Sequence, residues 1–245
     1  SDMQLDPGDF IKESSNNGFV VHAPELFANS HLMDLATDDK TYRDESIAQT
    51  QKVIDITRDL NKYFPSTSKP LIVANIGGFS MDEPFSEVKK KNLYKTFGKS
   101  LNKLDTVNVE IIPQTMAPFP WHFGGQRFQN IFVLPSEIVK WCNELDIRMC
   151  FDVSHSMLTC NHFGLDFYEF AEEISPVTAY LHMGDAKGIN GEGLQIGDGE
   201  IDFHKLSNIL NSKSPNAGFI PEIWQGHKNG GEGFWIALEK LEGNL

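Results

Sequence analysis

The chain has 245 residues, 40% of them hydrophobic, which is enough for one large domain with a substantial core. With 34 acidic residues against 21 basic ones its formal net charge is −13, which argues against a nucleic-acid partner, because binding a phosphate backbone ordinarily needs a basic surface. No apolar run reaches the length of a membrane span, no secretory leader is expected, and Cys142, Cys150 and Cys160 lack CxxC spacing, so a cytoplasmic protein with reduced thiols is expected.

Periodicity predicts a strand over 18–25 (GFVVHAPE) and a helix over 44–64, where Ile47, Val53, Ile54, Ile56 and Leu60 fall near helical spacing. A strand over 69–78 (KPLIVANIGG) precedes a helix over 84–104. A strand over 106–114 (TVNVEIIPQ) precedes a helix over 134–146, with Ser136 as a cap. Strands over 147–155, 177–187 and 217–224 are followed by helices over 165–175, 203–213 and 231–243. No repeat, low-complexity tract or linker interrupts the alternation, so one domain over 1–245 is expected. Regular strand–helix alternation implies right-handed crossovers and parallel pairing, hence an α/β sheet or barrel.

Polar residues favour the barrel. His22, Asn75, Glu110, Asp152, His155, His182, Asp185 and Glu222 are placed by this reading near the C-terminal ends of strands whose other residues are apolar. Buried charge is costly unless it is paired. In a (β/α) TIM barrel that end of the strands is where active-site groups collect.

These motifs, taken in order, resemble the xylose-isomerase-like TIM barrel superfamily, which includes endonuclease IV and sugar isomerases and epimerases. HAPELFANS resembles the histidine-bearing strand of endonuclease IV, VEIIPQ with GGQRF the glutamate strand and its loop, and FDVSH the family's Asp-x-x-His. LHMGDAKG resembles its His-x-x-Asp strand and PEIW its last glutamate strand, so the likeness runs from about His22 to Trp224. The resemblance implies one divalent metal ion held by Glu110, Asp152, His182 and Glu222. Three carboxylates and an imidazole suit Mn, Mg or Co and tolerate Zn. The endonuclease uses three zinc ions and further ligands, but Asn75 stands where the next strand should bring a histidine, and Gly191 and Gly193 stand where an Asp-x-His should lie.

The resemblance therefore implies a metal-dependent sugar or sugar-phosphate isomerase or epimerase. Its carbohydrate substrate would pass through an enediolate, with Glu110 and Glu222 moving the proton. Two alternatives stand beside it: an endonuclease IV-like phosphodiesterase, and a non-catalytic barrel that binds a sugar or a partner. His155 either contacts a substrate oxygen or orients Asp152. His22 is read as a substrate or structural group. Asp185 and Lys187 either bind substrate or pair with one another. Trp121, in the loop APFPWHFGGQRF with Phe119, His122, Phe123 and Arg127, is a candidate lid aromatic. Trp224 and His227 lie where a final loop would touch ligand.

Six strand–helix units are expected where a complete barrel has eight, and SDMQLDPGDFIKESS resembles the loop and helix that follow a second strand. Either the chain is a fragment of a longer one, or the barrel is open, or a second copy or a further domain completes it.

Overall fold

All six expected strands form, in two three-stranded parallel sheets. The structure, a computed structural model, describes residues 11, 13–122 and 125–243, and the side chain of His122 is not among what it describes. Phe123 and most of the segment 1–15 lie outside the described residues. The described residues fall into two compact units: residues up to Gly78 with Ser86–Pro113, and Phe79–Phe85 with Gln114 onward.

In the first unit, β1 (Val20–His22), β2 (Leu71–Ala74) and β3 (Glu110–Pro113) pair in the order β1-β2-β3, with Val20 opposite Leu71 and Leu71 opposite Glu110. The central strand, Leu-Ile-Val-Ala, is an uninterrupted apolar run, as a parallel strand covered on both faces should be. Helix α1 (Lys40–Asn61) starts four residues before the predicted boundary, because the Asp39 side chain accepts from Tyr42 N. Its inward hydroxyls bond back to its own carbonyls, Thr50 to Ser46 and Thr57 to Val53, which makes polar residues tolerable on that face. Helix α2 (Glu87–Leu101) is capped by Ser86 and buries Leu93, Tyr94 and Phe97. The predicted strand 106–114 is shortened at its start: Asn108 adopts a left-handed φ of 62° in a turn closed by Val109 N donating to Thr106 O, so Glu110 opens β3.

In the second unit, α3 (Pro135–Leu145) leads to β4 (Met149–Asp152), and α4 (Val153–Phe163) follows with no intervening loop. The predicted strand 147–155 therefore ends early, at Asp152. The carboxylate of Asp152 accepts from His155 N at 2.8 Å and turns the chain into α4. Helix α5 (Phe167–Ile174) is capped by Asp166 and packs Phe167 and Phe170 around Phe151. Next comes β5 (Thr178–Met183), and Gly184 separates it from an antiparallel hairpin, β6 (Asp185–Lys187) with β7 (Gly191–Leu194). The expectation of one strand over 177–187 thus becomes two. A Cβ on Gly184 would lie 2.7 Å from Glu222 O, so only glycine passes there. Helix α6 (Phe203–Lys213) matches its predicted bounds, and β8 (Gly218–Pro221) precedes α7 (Lys228–Glu242). Left-handed Asn229, Gly230 and Gly231 interrupt the start of α7, so its regular turns begin where the sequence placed them. The sheet order is β4-β5-β8, and Gln114 forms an isolated parallel bridge with Cys150 of β4. Among the described residues no helix is long and apolar enough to cross a membrane.

Candidate metal centre

Register brings the site together. Asp152 on β4 is opposite His182 on β5, and His182 is opposite Ile220 on β8. Side chains alternate along a strand, so Glu222, two residues beyond Ile220, projects to the same side as Asp152 and His182. Gln114, aligned with Cys150, reaches that side by the same parity. One ligand atom each from Asp152, His182 and Glu222 lies within 4.8 Å of the others, at the C-terminal ends of three neighbouring parallel strands.

Asp152 is 2% exposed. Gln114 Nε2 donates to its Oδ2 at 2.7 Å, and Thr115 Oγ1 accepts from its backbone N–H at 2.8 Å. His182 Nδ1 lies 2.6 Å from Glu222 Oε2 and 3.8 Å from Asp152 Oδ2. Burial opposes a charge on His182, but Cys150, Asp152 and Glu222 outweigh it and hold the imidazole pKa well above its ordinary value. For Asp152, burial pushes upward, and the neighbouring His155 and His182 pull its pKa below the ordinary carboxylate value. His182 Nδ1 thus faces two carboxylates, and a divalent cation would take the place of a proton among them. Two carboxylates with one imidazole form a donor set for such an ion.

A cavity of about 500 Å³ opens over these groups, lined by Asp152, His155, Glu192, Glu222, Trp224 and Lys228 among others. His155, in the first turn of α4, has Nδ1 3.0 Å from Thr115 O and 3.2 Å from Asp152 Oδ2. Trp224 and His227 are exposed along the same cavity.

The other expected site residues are placed as follows. Glu110 belongs to the first unit, opens β3 and has Oε2 3.9 Å from Lys69 Nζ. The residue that follows the C-terminal end of β3 is Gln114, to which the sequence reading assigned no role. His22 ends β1, is exposed, and has Nδ1 2.8 Å from Ala23 O. Asp185 is fully buried and accepts backbone N–H bonds from Ala186, Gly197, Gly199 and Ile201, so it organises the loop before α6. Lys187 is exposed at the end of β6, and Trp121 is exposed on a short ladder with Gln126. Glu192 and Ser154 carried no expectation.

A parallel α/β fold that gathers carboxylates and an imidazole at its strand ends has the arrangement found at the strand ends of (β/α) barrels. The chain matches the family described as xylose isomerase-like TIM barrel over residues 9–241, and it belongs to that family. Among solved structures it resembles a D-tagatose 3-epimerase-like protein, at 17% identity and TM-score 0.64, over 92% of this chain and 79% of that one. An L-ribulose 3-epimerase aligns at 14% identity and TM-score 0.62, over 91% of this chain and 72% of that one. A D-allulose 3-epimerase from Methylomonas sp. aligns at 12% identity and TM-score 0.63, over 87% and 74%. At these identities the likeness is one of fold. No match is found among curated proteins.

Proposed function

We propose that the chain is a metal-dependent isomerase or epimerase of a sugar or sugar phosphate, acting by proton transfer through an enediolate. The observation that carries this reading is the convergence of Asp152, His182 and Glu222 at the strand ends, beneath a cavity lined by further polar groups. The donor set fits one divalent ion, and its two carboxylates balance the charge of that ion. Two further ions, as in the endonuclease pattern, would need ligands where Gly191 and Gly193 stand. A Cβ on Gly191 would lie 2.8 Å from Lys187 O, and Gly193 has a left-handed φ of 62°. Both positions favour glycine over a ligand.

The ion, when bound, supplies the positive charge that polarises a substrate carbonyl and acidifies the adjacent C–H. Glu222 is the carboxylate suited to take that proton and return it, because its side chain is 52% exposed and faces the cavity. Asp152 is buried, and Gln114 and His155 hold its two oxygens, so it serves as a ligand rather than a base. Gln114 carries no titratable proton and acts by fixing Asp152. In this reading the proton-moving carboxylate is Glu222.

Elemental analysis of wild type and Glu222→Ala, with solvent-deuterium incorporation into a panel of ketoses and ketose phosphates, tests the reading. About one ion per chain, lost in the variant, with exchange in the wild type alone, is expected. Near three zinc ions per chain would favour the phosphodiesterase. A folded protein that takes up no ion even from added Mn²⁺ would favour a non-catalytic binding domain.

A further inference from the structure

Glu192 stands in β7 between Gly191 and Gly193 and enters the cavity beside Asp152, His155 and Glu222. Nothing in the folding of the hairpin calls for a carboxylate there. Its ionic neighbour is His155, whose Nε2 is 3.7 Å from Glu192 Oε2, beyond hydrogen-bond reach, and the Glu192 side chain is 37% exposed. The backbone around it is nevertheless fixed from two directions. Gly193 N donates to Ser154 Oγ at 2.8 Å, and Trp224 N donates to Gly193 O at 2.7 Å. Ser154 lies in the first turn of α4, two residues after Asp152, and Trp224 lies two residues after Glu222. The backbone next to Glu192 is therefore tied to residues two positions after two of the candidate metal ligands, and the Glu192 side chain lines the cavity with them.

The 3.7 Å between Glu192 Oε2 and His155 Nε2 is a gap that one hydroxyl oxygen, about 2.8 Å from each atom, can span. We propose that Glu192 is a substrate-positioning residue that, with His155, grips one hydroxyl of a polyol substrate beyond the atoms that meet the ion. The hydroxyl donates to the Glu192 carboxylate, and His155 Nε2 lies within reach of the same oxygen. A substrate lacking that hydroxyl leaves the carboxylate without its partner, so Glu192 also sets specificity. This inference rests on the isomerase or epimerase reading of the same cavity.

The test is calorimetric binding of a panel of hexitols, pentitols and their monodeoxy analogues to the Mn²⁺-loaded protein. It compares wild type with Glu192→Gln and Glu192→Ala, with Mn²⁺ content and melting temperature measured on each. The expected result is a Kd raised roughly tenfold or more in Glu192→Ala, as for loss of a hydrogen bond to a charged group, and a smaller rise in Glu192→Gln, which keeps an acceptor oxygen. Mn²⁺ content and melting temperature should stay unchanged, and one deoxy position should bind wild type and Glu192→Ala alike. Polyol affinities equal within about twofold across the three proteins would overturn the inference and leave the proposed activity standing. Loss of Mn²⁺ from Glu192→Ala would overturn it too, because the residue would then act on the ion. A wild type that holds Mn²⁺ but binds no polyol would remove the proposed activity and this inference together.

Discussion

Replacing Gln114 by glutamate is the sharpest probe of the metal centre, because it changes charge without changing length. In the wild type Gln114 Nε2 donates to Asp152 Oδ2 at 2.7 Å, and Asp152 is 2% exposed. Gln114→Glu removes a hydrogen bond to a charged acceptor, a loss of about 1.5–3 kcal/mol. It also sets two carboxylates against each other. Unit charges about 4 Å apart repel by about 4 kcal/mol at an effective dielectric constant of roughly 20, and a proton shared between the two oxygens relieves part of this. A net destabilisation of about 3 kcal/mol is expected for the chelated protein near neutral pH. For a chain of this size that lowers the melting temperature by roughly 6–12 °C. A divalent ion at Asp152, His182 and Glu222 turns the added carboxylate from a liability into a further attraction, so Mn²⁺ should close most of the gap. The assay is thermal denaturation of both proteins in chelator and in Mn²⁺. A variant that melts with the wild type in chelator, or a gap that Mn²⁺ leaves untouched, refutes the arrangement.

Two further outcomes follow from the same geometry. The pKa of His182 is raised in the folded protein, so its contribution to stability is fully present below the ordinary histidine value of 6.5 and is lost as pH rises through the raised value. The chelated protein should therefore lose stability above about pH 6.5, and Mn²⁺, which binds the neutral imidazole, should flatten or reverse that trend. Denaturant midpoints in chelator that stay level or rise across this range would contradict it. Asp185→Ala leaves four N–H donors, two of them buried, without their carboxylate and should cost about 3–5 kcal/mol by equilibrium denaturation, while the folded fraction keeps its Mn²⁺. A loss of bound Mn²⁺ in proportion to the fold would instead tie Asp185 to the site.

The strand–helix order was legible because it rests on periodicity, which each segment carries within itself. The central run Leu71–Ala74 and the helix Phe203–Lys213 fall within or at their predicted bounds. The boundaries that moved are those set by single polar contacts. The pattern makes Asp152 a residue at the end of a strand, and it ends β4, but the same carboxylate also caps α4 through His155 N. The helix therefore begins where the strand was expected to continue. A residue with two roles leaves one mark in the sequence, and the mark was assigned to one role. Asp185 shows the converse: a carboxylate near the end of a predicted strand, for which the sequence allows a substrate contact or a pair with Lys187, gathers the amides of residues 12–16 positions later.

Glu110 and Gln114 show why parity alone does not separate two positions of one segment. The two are four residues apart, so both project from the same face of an extended strand, and an alternation argument treats them alike. What separates them is where the strand starts, and that is decided by the left-handed Asn108 and its turn, a feature that no pattern of apolar residues reports. Once the strand begins at Glu110, its C-terminal end falls at Pro113, and the residue next to Asp152 is an amide. The chemical consequence is larger than the four-residue shift suggests. A glutamate there would give the site three carboxylates and a second proton carrier, whereas glutamine leaves two carboxylates and one exposed base in Glu222. If Glu192 on the hairpin after β5 holds a substrate hydroxyl, it is a further acidic group of the cavity that serves substrate rather than a cation.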